Sequence, residues 1–341
     1  MRKARSSITN VLKMTVIPVI IWIIFEMIDR QLTGLGVINT MSDIKTLFRN
    51  LLTTYALALA IDLNLSSGRM DLSLGAQMYV GVIFGGNLAL LLGWGGAGVL
   101  VLATLISAIC GGIVGVLFTK LRILPMVLGL GMTLIFECLC YSVNHQQGLV
   151  LYGNKPAIDL LSNVWFIIGV AVVALAATTY LLQFSKFGYR LRAVQGSQKL
   201  AADSGINIFN NCIGCYVFAG ALAGCAGAFE AAYNGSLTPV LNMSSNSTVF
   251  RNMFPMVLGI WIGSFCRNKS LGILMGSLSV RLLIIGLSRI GLGSSTQNLI
   301  VYSLFLLFVI INTNKNKVAY LKSRKQRIEK AREYKKIHSM G

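Results

Sequence analysis

Runs of eighteen or more largely apolar residues recur from Val11 to Asn312. This repetition limits the fold more than any other feature. A helix needs about 20 apolar residues to cross a bilayer, and inside lipid its backbone groups must be satisfied within the segment. A 20-residue window gives ten such segments, near 11–29, 46–62, 71–93, 96–118, 124–143, 163–183, 209–232, 249–265, 270–288 and 297–313. Pro, Gly and charged residues punctuate most of the gaps. Only 12% of residues are charged, against about 25% in soluble domains. A transmembrane β-barrel does not suit the pattern, because barrel strands alternate and run only about 10 residues. The expected class is an all-α membrane protein of about ten transmembrane helices over residues 1–313, with a basic tail over 314–341.

The net charge of +19 would suit nucleic acid, but its distribution does not. Ten of the 30 Lys and Arg lie after Asn312, and most others sit in short loops. That is positive-inside patterning. With the N-terminus in the cytoplasm, ten crossings place 23 of the 30 on the cytoplasmic side. The N-terminus and the tail are therefore expected inside, and the tail can also touch anionic lipid heads. The opening MRKARSS and its apolar run lack a small-x-small cleavage site, so a retained first helix is expected.

Two polar stretches stand out in this apolar chain. Phe184 to Ile208 carries Lys186, Arg190, Arg192 and Lys199 between two long apolar runs. It is helix-competent, must face water, and by the charge count is cytoplasmic, which points to a docking surface for a partner. The second stretch is the break Ser67-Gly68-Arg69-Met70-Asp71-Leu72-Ser73-Leu74-Gly75. A carboxylate at a membrane edge needs a structural or functional partner. Asp71 can cap the following helix, with Ser73 and Gly75 easing the turn; contact with a solute is the other reading.

The remaining signals point to packing. Gly81/Gly85, Gly111/Gly115, Gly220/Gly224, Gly259/Gly263 and Gly272/Gly276 are G-x-x-x-G pairs, which let helices approach closely and could serve dimer contacts. Cys212 and Cys215 form a lone C-x-x-C, read as small packing residues. No G-x-x-x-x-G-K-[ST] phosphate loop is present. Glu137, Glu230 and Arg281 fall within apolar segments, where pairing, capping or a proton relay are all open. His145 and His338 are not placed to shuttle protons. The loop Ala232–Thr248 is rich in Asn, Ser and Thr and is expected to form an outer hydrogen-bonding surface.

The break, with three stretches that follow it, resembles permeases of ribose-, galactose- and xylose-type ABC importers, grouped with branched-chain amino-acid permeases. Gly68, Asp71, Ser73 and Gly75 match their G-x-x-D-L-S-x-G. Leu124-Pro125-Met126-Val127 with Leu130-Gly131 is similar to their L-P-x-x-x-x-L-G. Phe187, Gly188, Arg192, Ala193, Val194, Gly196, Ala201, Ala202, Ser204, Gly205 and Ile206 lie in a stretch similar to the family's cytoplasmic coupling segment. Ala221 to Ala228 resembles its L-A-G-L-A-G. The likeness covers about residues 46–312. Departures are Arg69 for a glycine, Tyr189 for an arginine, Gln195 for a glycine, Ser197 for an asparagine and Leu200 for an alanine.

The resemblance implies a type II-like ABC importer bundle in a bacterial inner membrane, with both termini cytoplasmic and no catalytic residue, metal or cofactor of its own. It also implies three protein partners: a cytoplasmic ABC ATPase, an extracytoplasmic solute-binding protein, and a second permease copy or close paralogue. The implied cargo is a monosaccharide or similar small polar solute. Gly68, Asp71, Ser73, Gly75 and Pro125 become candidates for the path or for shaping the membrane break. An ion-coupled secondary carrier is the competing class; it would need essential membrane carboxylates and no docking segment.

Overall fold

The computed structural model describes residues 2–121, 123–143, 146–265 and 268–314. Arg122, His145, Cys266, Arg267 and the tail from residue 315, with His338, lie outside the described residues. The chain divides after Gly291 into two units.

The first unit is helical. Its elements are α1 (Arg2–Thr33), α2 (Met41–Leu65), α3 (Leu74–Leu91), α4 (Gly95–Leu121), α5 (Pro125–Ser142), α6 (Lys155–Ser162) and α7 (Val164–Gln183). They continue with α8 (Lys186–Gly196), α9 (Gln198–Asp203), α10 (Ile208–Asn234), α11 (Asn246–Gly263) and α12 (Lys269–Arg289). The second unit contributes one apolar helix, α13 (Ser294–Asn314).

Local chemistry explains where these helices begin. Thr40 and Asp43 form a capping box at the start of α2. Asn163, Asn207 and Asn268 accept backbone N–H groups at the starts of α7, α10 and α12. Gly235, at φ +71°, ends α10 in the left-handed conformation.

Among the described residues, seven helices are long and apolar enough to cross a membrane: α3, α4, α5, α7, α10, α12 and α13. The other three expected segments fall on α1, α2 and α11, which are long helices at the expected places. The central part of α2 is enclosed, with every residue from Leu52 to Asn64 buried.

The G-x-x-x-G pairs pack helices within the chain. A Cβ at Gly81 or Gly85 on α3, or at Gly220 or Gly224 on α10, would collide with α4 between Leu102 and Ser107. The two glycine faces close onto the same stretch of α4. Gly259, Gly272 and Gly276 do the same between α11 and α12.

The α5–α6 and α10–α11 connections are joined. Leu149–Val150 (β1) pairs antiparallel with Ser236–Leu237 (β2), Leu149 facing Leu237. Leu149 is buried against the Gly86 face of α3, and Asn87 Nδ2 donates to the Gly148 carbonyl at 3.1 Å. This ladder marks one side of the bundle. The α8–α9 segment marks the other.

Candidate functional site

The break after α2 is held by its own side chains. Gly68 takes φ +76°, a conformation that L side chains rarely adopt, and the chain leaves the helix there. Asp71 is buried. Its Oδ1 accepts from Ser73 N (2.9 Å) and Ser73 Oγ (2.6 Å), and its Oδ2 accepts from Gln77 Nε2 (3.0 Å). Gln77 Nε2 also reaches Ser73 Oγ at 2.8 Å. The carboxylate thus closes the N-terminus of α3, where negative charge complements the helix dipole.

A second break precedes α11. Asn242 and Met243 both have φ +61°, an unfavourable region for residues with side chains. Glu137 of α5 clamps them. Its Oε2 accepts from Met243 N (2.8 Å), and its Oε1 accepts from Ser245 N (2.9 Å) and Ser245 Oγ (2.6 Å). Glu137 does for α11 what Asp71 does for α3, but from a neighbouring helix.

The two breaks touch. A Cβ at Gly75 would overlap the Ser245 carbonyl, and one at Gly129 of α5 would lie 2.9 Å from Leu72 N. The Thr133 hydroxyl donates to the Gly129 carbonyl (2.9 Å) and lies 3.4 Å from Leu72 O and 3.3 Å from Asn246 Oδ1. Thr133 and Glu137 sit in the middle stretch of α5, so two helix N-termini meet half-way along a membrane-spanning helix. From there α3 runs toward the β1–β2 ladder. α11 runs toward the start of α12, where Lys269 pairs with Asp62 at 2.8 Å.

This junction corrects part of the reading of the 232–248 loop as a polar surface: Asn242, Ser244 and Ser247 are exposed, but three of its polar residues turn inward. Ser245, Asn246 and Thr248 are buried. The sequence signal was available: Glu137 was a membrane carboxylate without a partner, and this Ser/Asn/Thr run was without an acceptor. Of the other ionisable groups, Arg281 Nε donates to Thr54 Oγ1 and Glu230 lies 4.0 Å from Arg251. Cys212 and Cys215 are buried in α10.

The segment after α7 forms two short helices, begun by Ser185, which accepts from Gly188 N, and by Ser197, which accepts from Leu200 N. Gly188, Leu191 and Val194 face inward, and Phe187 lies 5.6 Å from the Phe218 ring of α10. Arg192, Ala193 and Gly196 are exposed on α8. Ala201 is buried, Ala202 and Ser204 are exposed, and Ile206 is half-buried. Gly205 takes φ +76°, but Gly196 has no positive φ, and the chain turns there through the extended Ser197. Two hydrogen bonds tie this segment to the break: Gln195 Nε2 to Ser66 Oγ (2.7 Å) and Gln198 Nε2 to the Ser67 carbonyl (3.2 Å). Both glutamines were invisible as contacts in the sequence, since their partners lie about 130 residues away. Gly68 and Pro125 line a cavity of about 560 Å³ beside this link.

The family model "Branched-chain amino acid transport system / permease component" matches residues 44–312, which hold both breaks, α5 and the α8–α9 segment. The chain belongs to this permease family. It is similar to the fructose import permease protein FrcC of Rhizobium meliloti, 25% identical over 262 residues that cover 73% of this chain and 72% of that one. It is also similar to the ribose import permease protein RbsC of Bacillus subtilis (strain 168), 26% identical over 208 residues that cover 59% of this chain and 63% of that one. No solved structure matches. The protein is a multi-pass membrane transport component rather than an enzyme.

Within this permease, Asp71 has a measurable structural role. Asp71→Ala removes a cap, which costs about 0.5–2 kcal/mol. It also strands buried donors on Ser73 and Gln77, at about 1–3 kcal/mol for each group left unpaired. The expected result is a clear loss of thermal stability in detergent. Asp71→Asn keeps one acceptor oxygen and should fall between the two. An unchanged melting midpoint in Asp71→Ala would remove the capping role.

Proposed function

We propose that this permease is the membrane subunit of a bacterial ATP-driven ABC importer for a monosaccharide or similar small polar solute. An extracytoplasmic binding protein delivers the solute, and a second copy of this chain or a close paralogue completes the pathway. All ten long helices cross the inner membrane in a type II-like bundle, with both termini in the cytoplasm. A cytoplasmic ATPase docks on α8–α9.

The observation that carries this reading is the pair of hydrogen bonds from Gln195 and Gln198 to Ser66 and Ser67. A water-facing pair of helices, basic and apolar by turns, is fastened to the break that leads to the mid-bundle junction. Movement of a docked partner against α8–α9 would reach Asp71, which caps the start of α3, through five or fewer residues of chain. ATP binding acts by favouring one arrangement of that junction over another. Gly68, Asp71, Ser73, Gly75 and Pro125 shape the break that moves. The names of the fructose and ribose permeases support a sugar as cargo. The occupation of both Asp71 and Glu137 as helix caps supports this reading over a proton relay.

The test is uptake of labelled ribose and fructose into proteoliposomes that contain the permease, its ATPase and its binding protein. Transport should require ATP on one side only. An impermeant thiol reagent should reach Gly196→Cys from that same side. Uptake driven by an ion gradient without ATP, or labelling from the opposite side, would overturn the proposal.

A further inference from the structure

Arg69 is buried, at 3% exposure, and its Nη1 has no hydrogen-bond partner. Among the described residues the ion pairs are Arg30–Glu26, Arg251–Glu230, Lys269–Asp62 and Arg289–Asp43, and none involves Arg69. A buried guanidinium without a counter-charge is strongly unfavourable, so a missing anion is the simplest physical complement.

Arg69 belongs to the wall of the 560 Å³ cavity. Phe118, Ile123, Leu124, Ile208 and Phe209 supply its large apolar side chains, and Gln198 closes the α9 side. Pro125 occupies the first turn of α5, and Leu124 offers that helix no side-chain cap. The start of α5 is therefore a second positive feature at the same place. The cavity lies where α4 ends and where α5 and α10 begin. All three helices are apolar enough to span the membrane, so its mouth opens at the boundary between hydrocarbon and water. Leu124 is 71% exposed there and Phe209 is 53% exposed.

We propose that this cavity binds an anionic phospholipid, with Arg69 as the counter-ion of its phosphate and an acyl chain along Phe118, Ile123, Leu124 and Phe209. A freely soluble oxyanion would satisfy Arg69 but gain nothing from the apolar wall. A lipid satisfies both, and the bilayer supplies it at the depth of the cavity. Gln198, in the same wall, also holds the Ser67 carbonyl. The bound lipid therefore braces the link between α9 and the break.

The test needs no transport assay. Full-length protein in detergent is titrated with phosphatidylglycerol, phosphatidylcholine, inorganic phosphate or glycerol 3-phosphate, and thermal stability is read. Phosphatidylglycerol should raise the midpoint in the wild type, and phosphatidylcholine should need a higher concentration for the same shift. Arg69→Gln should weaken the phosphatidylglycerol response by roughly fivefold or more, the effect of one basic residue facing an anionic lipid. Arg69→Lys should keep part of it. Leu124→Glu sits at an exposed position and leaves Arg69 in place. It should abolish the response by setting a carboxylate at the mouth, which covers the case in which the Arg69 variants do not fold. An equal response to both lipids, or an unchanged response in Leu124→Glu and the folded Arg69 variants, would overturn the site. Reproduction of the shift by inorganic phosphate or glycerol 3-phosphate would overturn the lipid as its occupant.

Discussion

Ala202→Trp should leave a folded, membrane-inserted permease that neither stimulates its ATPase nor moves solute. The reasoning starts from the split between two neighbouring alanines. Ala201 is 3% exposed, with its side chain turned into the protein, whereas Ala202 is exposed. A tryptophan at 202 adds bulk only on the side where a partner would sit, and an interface centre tolerates added volume poorly. Ala201→Trp should instead damage folding, because overpacking a buried site costs about 1–3 kcal/mol or more. The two variants therefore separate docking from stability. The measurements are ATPase co-purification, stimulated hydrolysis and uptake in one preparation. Normal values for all three in Ala202→Trp would remove the coupling role of α8–α9.

Glu137→Gln should destabilise the permease far more than Glu230→Gln does. The Glu137 carboxylate accepts three hydrogen bonds from Met243 and Ser245. A glutamine offers one oxygen, and its amide group turns a donor toward donors. Each buried donor that loses its acceptor costs about 1–3 kcal/mol, and the unfavourable backbone at Asn242 and Met243 loses its clamp. Glu230 accepts no comparable set of short hydrogen bonds: it lies 4.0 Å from Arg251 and keeps 20% side-chain exposure, so water can replace that contact. Thermal unfolding in detergent and the yield of monodisperse protein give the comparison. Equal losses from the two substitutions would show that Glu137 does not hold the second break.

Several parts of this molecule were legible before any coordinates. Among the described residues a long helix lies on each of the ten apolar segments, and seven of these are apolar enough to cross a membrane, where backbone satisfaction leaves the chain little other choice. The Asp71 cap was readable because its donors, Ser73 and Gln77, lie within six residues. The 184–208 stretch showed itself as a helix-competent segment between two apolar runs, and α8 and α9 lie within it.

Contacts between distant residues were not legible. Hydropathy reports how apolar a segment is, but not which neighbour each face meets. The Glu137 clamp on Met243 and Ser245 spans more than a hundred residues, and neither end carries a pattern that names the other. The same holds for the pairing of Leu149 with Leu237 and for the glutamine links to Ser66 and Ser67. The glycine pairs announced close packing, but only the fold shows that they close onto α4 and join α11 to α12 inside one chain. By itself the sequence determined the helices and their order, since these follow from local propensity and transfer into lipid. The tertiary structure alone decided that two broken segments meet beside the middle of α5, because that depends on which buried polar groups remain unsatisfied until the helices assemble.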